Sequence, residues 1–315
     1  MRNIKNICIV SGAHRSGTTW IGKTISKGTN SSYVWEPFNV NVPASQRISY
    51  GESFLKIKNW YHLLNGSNDE ICNDLKNVFY KRKICLKKII SLLPVSFKEN
   101  KKATLKWFLH NLKLSVDLKK KESAIIKDPI MLLSTKEICE ALSCKCILIT
   151  KDPRSFYNSL KKTSWAFDFK NILYPCLKLT HLNEFSNEVE EKINSGGLLD
   201  PTSIGLLWNI LHKHIYYLSN FKQYKVVRYE DICKDPISQI NELAVFATNK
   251  KLSKKTVKRL SIEQKNKVDN SYSFHMIRHE NSKMISELWK SQLKEEEIYE
   301  IKKKCVKIMD IFCYE

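Results

Sequence analysis

Residues 9–20 read Ile-Val-Ser-Gly-Ala-His-Arg-Ser-Gly-Thr-Thr-Trp, and their types and spacing suit the binding of an anion. Apolar Ile7, Ile9 and Val10 predict a buried strand, Gly12 and Gly17 bracket a tight turn, and residues 18–28 predict a helix. A strand–turn–helix unit of this kind aims several unpaired backbone N–H groups, and the positive end of a helix dipole, at one point. Gly12 and Gly17 have the spacing of the phosphate-loop pattern G-x-x-x-x-G-K-[ST], but Thr18 occupies the lysine position. The cation comes instead from inside the turn, as Arg15.

The other residues able to do chemistry also follow short apolar runs. Tyr33–Trp35 runs into Glu36-Pro37, Ala124–Ile126 into Lys127-Asp128-Pro129, and Cys146–Thr150 into Lys151-Asp152-Pro153-Arg154. Lys225–Tyr229 runs into Glu230-Asp231. Between these strands the periodicity is helical. Leu105, Phe108, Leu109 and Leu112 fall at helical spacing, as do apolar residues of 203–220 and 284–313. Pro153 and Pro236 stand where first helical turns begin. Short apolar strands alternating with helices predict an α/β fold with a central parallel sheet flanked by helices. Ligands of such sheets bind at the carboxyl ends of the strands, so motifs scattered in sequence converge on one crevice. The chain reads as a single domain over 1–315, with a helical insertion at about 50–122 and a helical part at about 284–313.

Three segments together resemble the sulfotransferase family, which uses 3′-phosphoadenosine-5′-phosphosulfate as sulfuryl donor. His14-Arg15-Ser16-Gly17-Thr18-Thr19-Trp20 is similar to that family's 5′-phosphosulfate loop, where a Lys or Arg precedes Ser-Gly-Thr-Thr-Trp. Ile147 to Arg154, with Ser159, resembles its 3′-phosphate segment, Lys151 replacing the family's first arginine. Val227-Arg228-Tyr229-Glu230-Asp231 with Asp235-Pro236 resembles its late strand and turn, and Trp289 with Leu293 adds a weaker echo. The resemblance implies a P-loop-like sulfotransferase fold, closest in pattern to the carbohydrate-acting branch.

It also implies roles. The N–H groups of Ser16, Gly17, Thr18 and Thr19 would cradle the 5′-phosphate, and Arg15 would bridge it with a planar fork. His14 lies inside the loop. Trp20 would stack on the adenine. Lys151 would meet the 3′-phosphate with help from Ser159 and Arg154, and Arg278 is a candidate second contact. The acceptor hydroxyl must lose a proton as sulfuryl transfer proceeds. Glu36 is the first candidate base, because the carbohydrate branch places a Glu-Pro similarly; Trp35 and Phe38 could shield it. Asp128 is the second and His14 the third. Lys127 could steady the transferring group. Arg228-Tyr229-Glu230-Asp231 reads as scaffolding. The donor would be 3′-phosphoadenosine-5′-phosphosulfate, the nucleotide product 3′,5′-adenosine bisphosphate, and the acceptor a hydroxyl compound of carbohydrate type.

Composition bounds these readings. The chain has 315 residues, 43% of them apolar, enough for a proper core. No stretch approaches the ~20 consecutive apolar residues of a membrane span. The N-terminus lacks a signal-peptide pattern, so a cytoplasmic location is expected. Ten scattered cysteines with no CxxC pair predict free thiols in a reducing compartment. Eight histidines show no metal spacing, and no metal is expected. The net charge of +21 favours anionic partners such as nucleotides, acidic glycans or an anionic membrane surface. A chain rich in Lys, Asn and Ile throughout can also carry surface lysines with no specific role. No nucleic-acid motif is present. Two other enzymes remain open. A nucleotide-dependent kinase of the same loop class would want a loop lysine and Mg²⁺. A sulfotransferase acting on a small phenol, alcohol or lipid would want a histidine near Asp128, where none stands.

Overall fold

The computed structural model describes residues 4–81, 84, 86–195, 198–265 and 282–315. Its principal elements in chain order are β1 (Asn6–Gly12), α1 (Thr18–Gly28), β2 (Ser32–Trp35), α2 (Leu86–Lys120), β3 (Ser123–Lys127), α3 (Thr135–Leu142) and β4 (Lys145–Thr150). There follow α4 (Pro153–Lys161), α5 (Pro201–Ser219), β5 (Tyr224–Arg228), α6 (Tyr229–Lys234), α7 (Pro236–Thr248), α8 (Lys254–Lys265) and α9 (Glu295–Ile311). The expected strands, and the helices expected from 18, 153, 203 and 236, are present within about two residues of their predicted limits, whereas the helical part expected at about 284–313 is divided into Ser282–Glu287, Trp289–Gln292 and α9.

The five strands form one parallel sheet in the order β2-β3-β1-β4-β5. Its strands are apolar on both sides because both sides are covered. Ile7, Ile9, Ile126 and Leu148 face one core, shared with Ile138 and Trp208. Cys8, Val10, Ile125 and Ile147 face the other, shared with Ile21 and Ile25 of α1 and Leu243 of α7. The chain passes from β1 to β2 and β3 on one side, then crosses to β4 and β5 on the other. The crevice lies where the order reverses, outside the carboxyl end of β1.

Asp-Pro pairs start three of the helices. Asp152 accepts N–H bonds from Arg154 at 2.8 Å and Ser155 at 3.4 Å, with Pro153 opening α4. Asp200 accepts from Ser203 at 2.9 Å, and Asp235 from Ser238 at 3.1 Å. Each carboxylate satisfies helical N–H groups that lack an intrahelical partner, and proline loses nothing at a position whose N–H is unpaired anyway. The helical spacing of Leu105, Phe108, Leu109 and Leu112 belongs to α2, but its buried stripe is Trp107, Leu114 and Leu118, while Leu105 and Leu109 are half-exposed at 51% and 57%. Two stripes of the same helical period run side by side in this segment. The period alone does not say which one meets the core.

Gly17 precedes α1 with φ 82°, and a Cβ built there would lie 2.5 Å from the ring of Tyr229. Gly66 has φ 93° with nothing within 4 Å. Gly17→Ala should therefore cost about 2–4 kcal/mol, from left-handed strain and overlap together, against about 1–2 for Gly66→Ala. Urea unfolding midpoints of the two variants measure the difference.

Candidate active site

The turn after β1 is shaped by backbone conformation before any ligand arrives. Gly12 has φ 144°, and a Cβ there would sit 2.3 Å from the carbonyl oxygen of Ile149, so β1 and β4 approach as only glycine permits. Arg15 has φ 67°. Ser16 closes the turn: its N–H donates to the Ala13 carbonyl at 3.2 Å, and its hydroxyl donates to the same oxygen. Gly17, Thr18 and Thr19 line the cleft. As the opening residues of a helix they carry N–H groups with no intrahelical partner. The expected cradle is thus corrected by one residue. Ser16 builds the turn, and the open amides begin at Gly17. Trp20 lines the same cleft and meets Tyr229 edge to face at 6.5 Å.

Arg15, Lys151 and Ser159 come together although the last two lie far along the chain. Arg15 Nε donates to Ser159 Oγ at 3.1 Å, and Lys151 Nζ donates to the Arg15 carbonyl at 3.2 Å. The Lys151 ammonium also lies 5.2 Å over the ring of Tyr229. Burial, against the pull of Glu230 and with a push from Arg15, brings the Lys151 pKa down to about 8. Arg154 goes elsewhere. It pairs with its near neighbour Asp152 at 2.6 Å and lies 4.1 Å over the ring of Trp289, and it does not line the cleft. Arg278 lies outside the described residues.

The backbone that presents Lys151 is fastened from beneath. Trp208 Nε1 donates to the Lys151 carbonyl at 2.7 Å, and the Lys151 N–H donates to His212 Nε2 at 3.4 Å. Trp208 and His212 are one turn apart on α5, and their rings stack at 4.0 Å. Burial pushes the His212 pKa down to about 3, so the imidazole is neutral. Its Nδ1 bonds the Trp208 carbonyl at 2.8 Å, which assigns the proton to Nδ1 and leaves Nε2 as acceptor. The next N–H, of Asp152, donates to Glu230 Oε1 at 3.0 Å, and the Tyr314 hydroxyl donates to Glu230 Oε2 at 3.1 Å. Tyr229 and Glu230 serve as scaffolding, as their position after β5 suggested.

On the β3 side, Glu36 stands in the cleft wall with φ 40°. Lys127 Nζ donates to Glu36 Oε1, and Asn39 Nδ2 donates to Oε2 at 2.7 Å. Trp35 stacks on Trp107 at 4.3 Å and Phe38 packs against Phe54 at 5.9 Å. The partners of the carboxylate are therefore polar rather than the two flanking aromatics. Lys127 is fully buried. Asp128 is fully buried as well, and its carboxylate is filled by backbone: Oδ2 accepts from Phe38 N–H at 2.8 Å, Oδ1 from Ile130 at 2.9 Å and Met131 at 3.2 Å. Burial and the charge of Glu36 push its pKa up to about 7, yet it does not line the cleft. His14 is buried among aromatic rings, 5.5 Å from Trp60 and 5.4 Å from Trp165, with Nδ1 2.6 Å from the Tyr61 hydroxyl. Burial pushes its pKa down to about 3.

The cleft that joins these groups has a volume of about 590 Å³. Several of its wall residues have no counterpart among the sequence candidates: Lys23, Lys27, Trp60, Lys162, Trp165 and Arg259. Thr19, Lys23 and Lys27 recur every fourth residue, a signal of one helix face that was open to reading. Arg259 of α8 donates to Thr24 Oγ1 at 3.0 Å and pairs with Glu263 at 3.3 Å. Nothing in the local sequence of Arg259, Trp60 or Trp165 marks them.

A family model described as "Sulfotransferase domain" matches residues 5–312. The chain has no match among curated proteins. Among solved structures it is similar to the sulfotransferase domain from the curacin biosynthetic pathway, at 14% identity and TM-score 0.49, covering 100% of this chain and 99% of that one. It is also similar to the sulfotransferase domain of the Synechococcus PCC 7002 olefin synthase, at 13% identity and TM-score 0.48, covering 100% and 97%. A third is retinol dehydratase in a complex with retinol and PAP, at 16% identity and TM-score 0.45, covering 98% and 82%. The family rests on the family model, which spans almost the whole chain and sets aside the kinase reading: this chain belongs to the sulfotransferase domain family.

Proposed function

We propose that the chain transfers a sulfuryl group from 3′-phosphoadenosine-5′-phosphosulfate to a hydroxyl of a carbohydrate acceptor. The observation that carries this reading is the meeting of Arg15, Lys151 and Ser159 beside the open amides of Gly17, Thr18 and Thr19, with Glu36 in the same cleft. The donor set fits a nucleotide with two separate anionic groups. One group takes the helix amides and Arg15; the other takes Lys151 and the Ser159 hydroxyl. In-line transfer forms an S–O bond to the acceptor oxygen as the S–O bond to the nucleotide phosphate breaks, and the bond pair leaves with the phosphate. Arg15 and the α1 amides stabilise the charge that gathers there.

Glu36 takes the acceptor proton. Lys127 and Asn39 hold its two oxygens, so Lys127 acts as a positioning residue rather than touching the transferred group. Asp128 is set aside as base on geometry: its pKa suits a base, but its oxygens face backbone N–H groups. It organises the turn after β3. His14 lines the cleft but is set aside because burial holds its pKa at about 3, too low for a base, while its Nδ1 bonds Tyr61. Every described cysteine is a free thiol, which supports a reducing compartment such as the cytoplasm. Among the described residues no helix is long and apolar enough to cross a membrane.

Transfer of radiolabelled sulfuryl from the donor onto a panel of glycans, phenols and lipids tests the reaction. Arg15→Ala should abolish calorimetric binding of 3′,5′-adenosine bisphosphate; near-normal affinity would remove the turn from the site. Glu36→Gln should keep that binding in the folded protein while turnover falls about 10²-fold or more, the scale of general-base catalysis, and the thermal midpoint should drop because the fully buried Lys127 loses its carboxylate. Asp128→Asn should differ in turnover: it should lose about 1–3 kcal/mol of stability through an unpaired Phe38 N–H, with turnover retained by the folded fraction. Lys151 binds an anion when protonated, and its pKa of about 8 places the change within reach. Affinity for the bisphosphate should be level below pH 8 and weaken as pH rises above it, and Lys151→Arg should flatten that decline.

A further inference from the structure

Arg15, Lys151 and the open α1 amides are matched to the donor in the reading above, on which this inference rests. Three lysines of the cleft wall are left over. Lys23 and Lys27 stand one turn apart on the exposed face of α1, and Lys162 stands just beyond α4, close in sequence to Trp165. Among the described residues none of the three has a carboxylate partner. The contrast with other lysines is plain, since Lys127, Lys161, Lys225 and Lys304 each hold a glutamate. Glu36 is the one carboxylate on the described wall, and Lys127 already neutralises it. Partial burial and the charges of Lys127, Lys27 and Lys106 disfavour the Lys23 ammonium by more than Glu36 favours it, so a positive potential remains there. Like charges one turn apart on a helix repel. A concave wall that keeps them concentrates anions.

The donor does not account for these cations. At 1.5 Å of rise per residue, Lys23 and Lys27 stand roughly 7 Å and 13 Å along the helix from the amides at its start. Lys23 instead shares its surroundings with Glu36, which faces the acceptor in that reading, and with the buried Lys127 behind it. Trp60 and Trp165 line the same cleft, half-buried and edge to face at 5.1 Å, and offer flat apolar surface to a ring. The cations and the indoles lie on the walls of a cleft, where an entering chain reaches them and a flat lipid surface does not. We propose that the acceptor is an acidic saccharide, whose anionic groups pair with Lys23, Lys27 and Lys162 while a hydroxyl faces Glu36.

The test uses the protein saturated with 3′,5′-adenosine bisphosphate and two probes of equal length, a hyaluronan tetrasaccharide and neutral chitotetraose. The acidic probe should bind at least ~10-fold more tightly, and that preference should shrink as salt rises. Lys23→Ala/Lys27→Ala/Lys162→Ala should remove the preference, whereas Lys302→Ala/Lys303→Ala/Lys307→Ala on the exposed face of α9 should change it less than ~2-fold. Bisphosphate affinity should be unchanged in both triple variants. Equal binding of the two probes, equal loss in both triple variants, no binding of either probe, or binding of phosphatidylserine vesicles in place of the tetrasaccharide would each overturn the assignment. Failure of the wild-type protein to bind the bisphosphate overturns the proposed function instead, so the two failures are distinguishable.

Discussion

A chain that turns inside a protein must find partners for its backbone, because a buried N–H or C=O left unpaired is costly. At the end of β4 this requirement falls on consecutive groups, and side chains rather than water meet it. His212 and Trp208 take the two polar groups of Lys151, and Glu230 takes the N–H of Asp152. Trp208 and His212 are fully buried and Glu230 is half-buried, and the contacts fix them in turn: Trp208 and His212 stack on each other, and Glu230 is held by Tyr314. The position of the Lys151 ammonium follows from this, and the carbonyl of Arg15 is tied to that ammonium. The placement of these cations in the cleft is thus an extension of ordinary backbone satisfaction.

The opposite side of the crevice divides its labour between adjacent residues. Lys127 and Asp128 are both fully buried, yet they face different tasks. Asp128 gathers backbone N–H groups from the segments after β2 and β3 and so holds two strand ends together. Lys127 reaches Glu36 and fixes one carboxylate oxygen. Successive residues at a strand end point to different sides, so a lysine and an aspartate side by side need not act as a pair.

The parts legible in the sequence were those governed by short-range rules. Apolar runs gave the strands, Asp-Pro gave the helix starts, and the two glycines gave the turn. The strand-end placement of Arg15, Glu36 and Lys151 followed from parallel-sheet topology, whereas Ser159 lies inside α4 and was marked by the family resemblance. What was not legible depends on where a side chain turns among several partners within reach. Ser16 turns to the carbonyl of Ala13, and Arg154 to Asp152 and Trp289, rather than to the cleft. The α2 helix buried Trp107 instead of the neighbouring leucine stripe because packing, not period, decides the face. Arg259, Trp60 and Trp165 enter the cleft through long-range docking of their segments, which leaves no local trace.

The contact of Gly17 with Tyr229 ties the anion-binding turn to a residue that follows β5, near the far edge of the sheet. Local propensity can start α1, but the shape of the turn before it is completed by a ring that arrives only when the last strand has docked. Such a pairing has high contact order, and loop-closure entropy must be overcome before it forms. The shape of this turn thus depends on a contact between residues 17 and 229 rather than on local propensity. A chain cut before β5 would carry the whole loop sequence without the ring that packs against it.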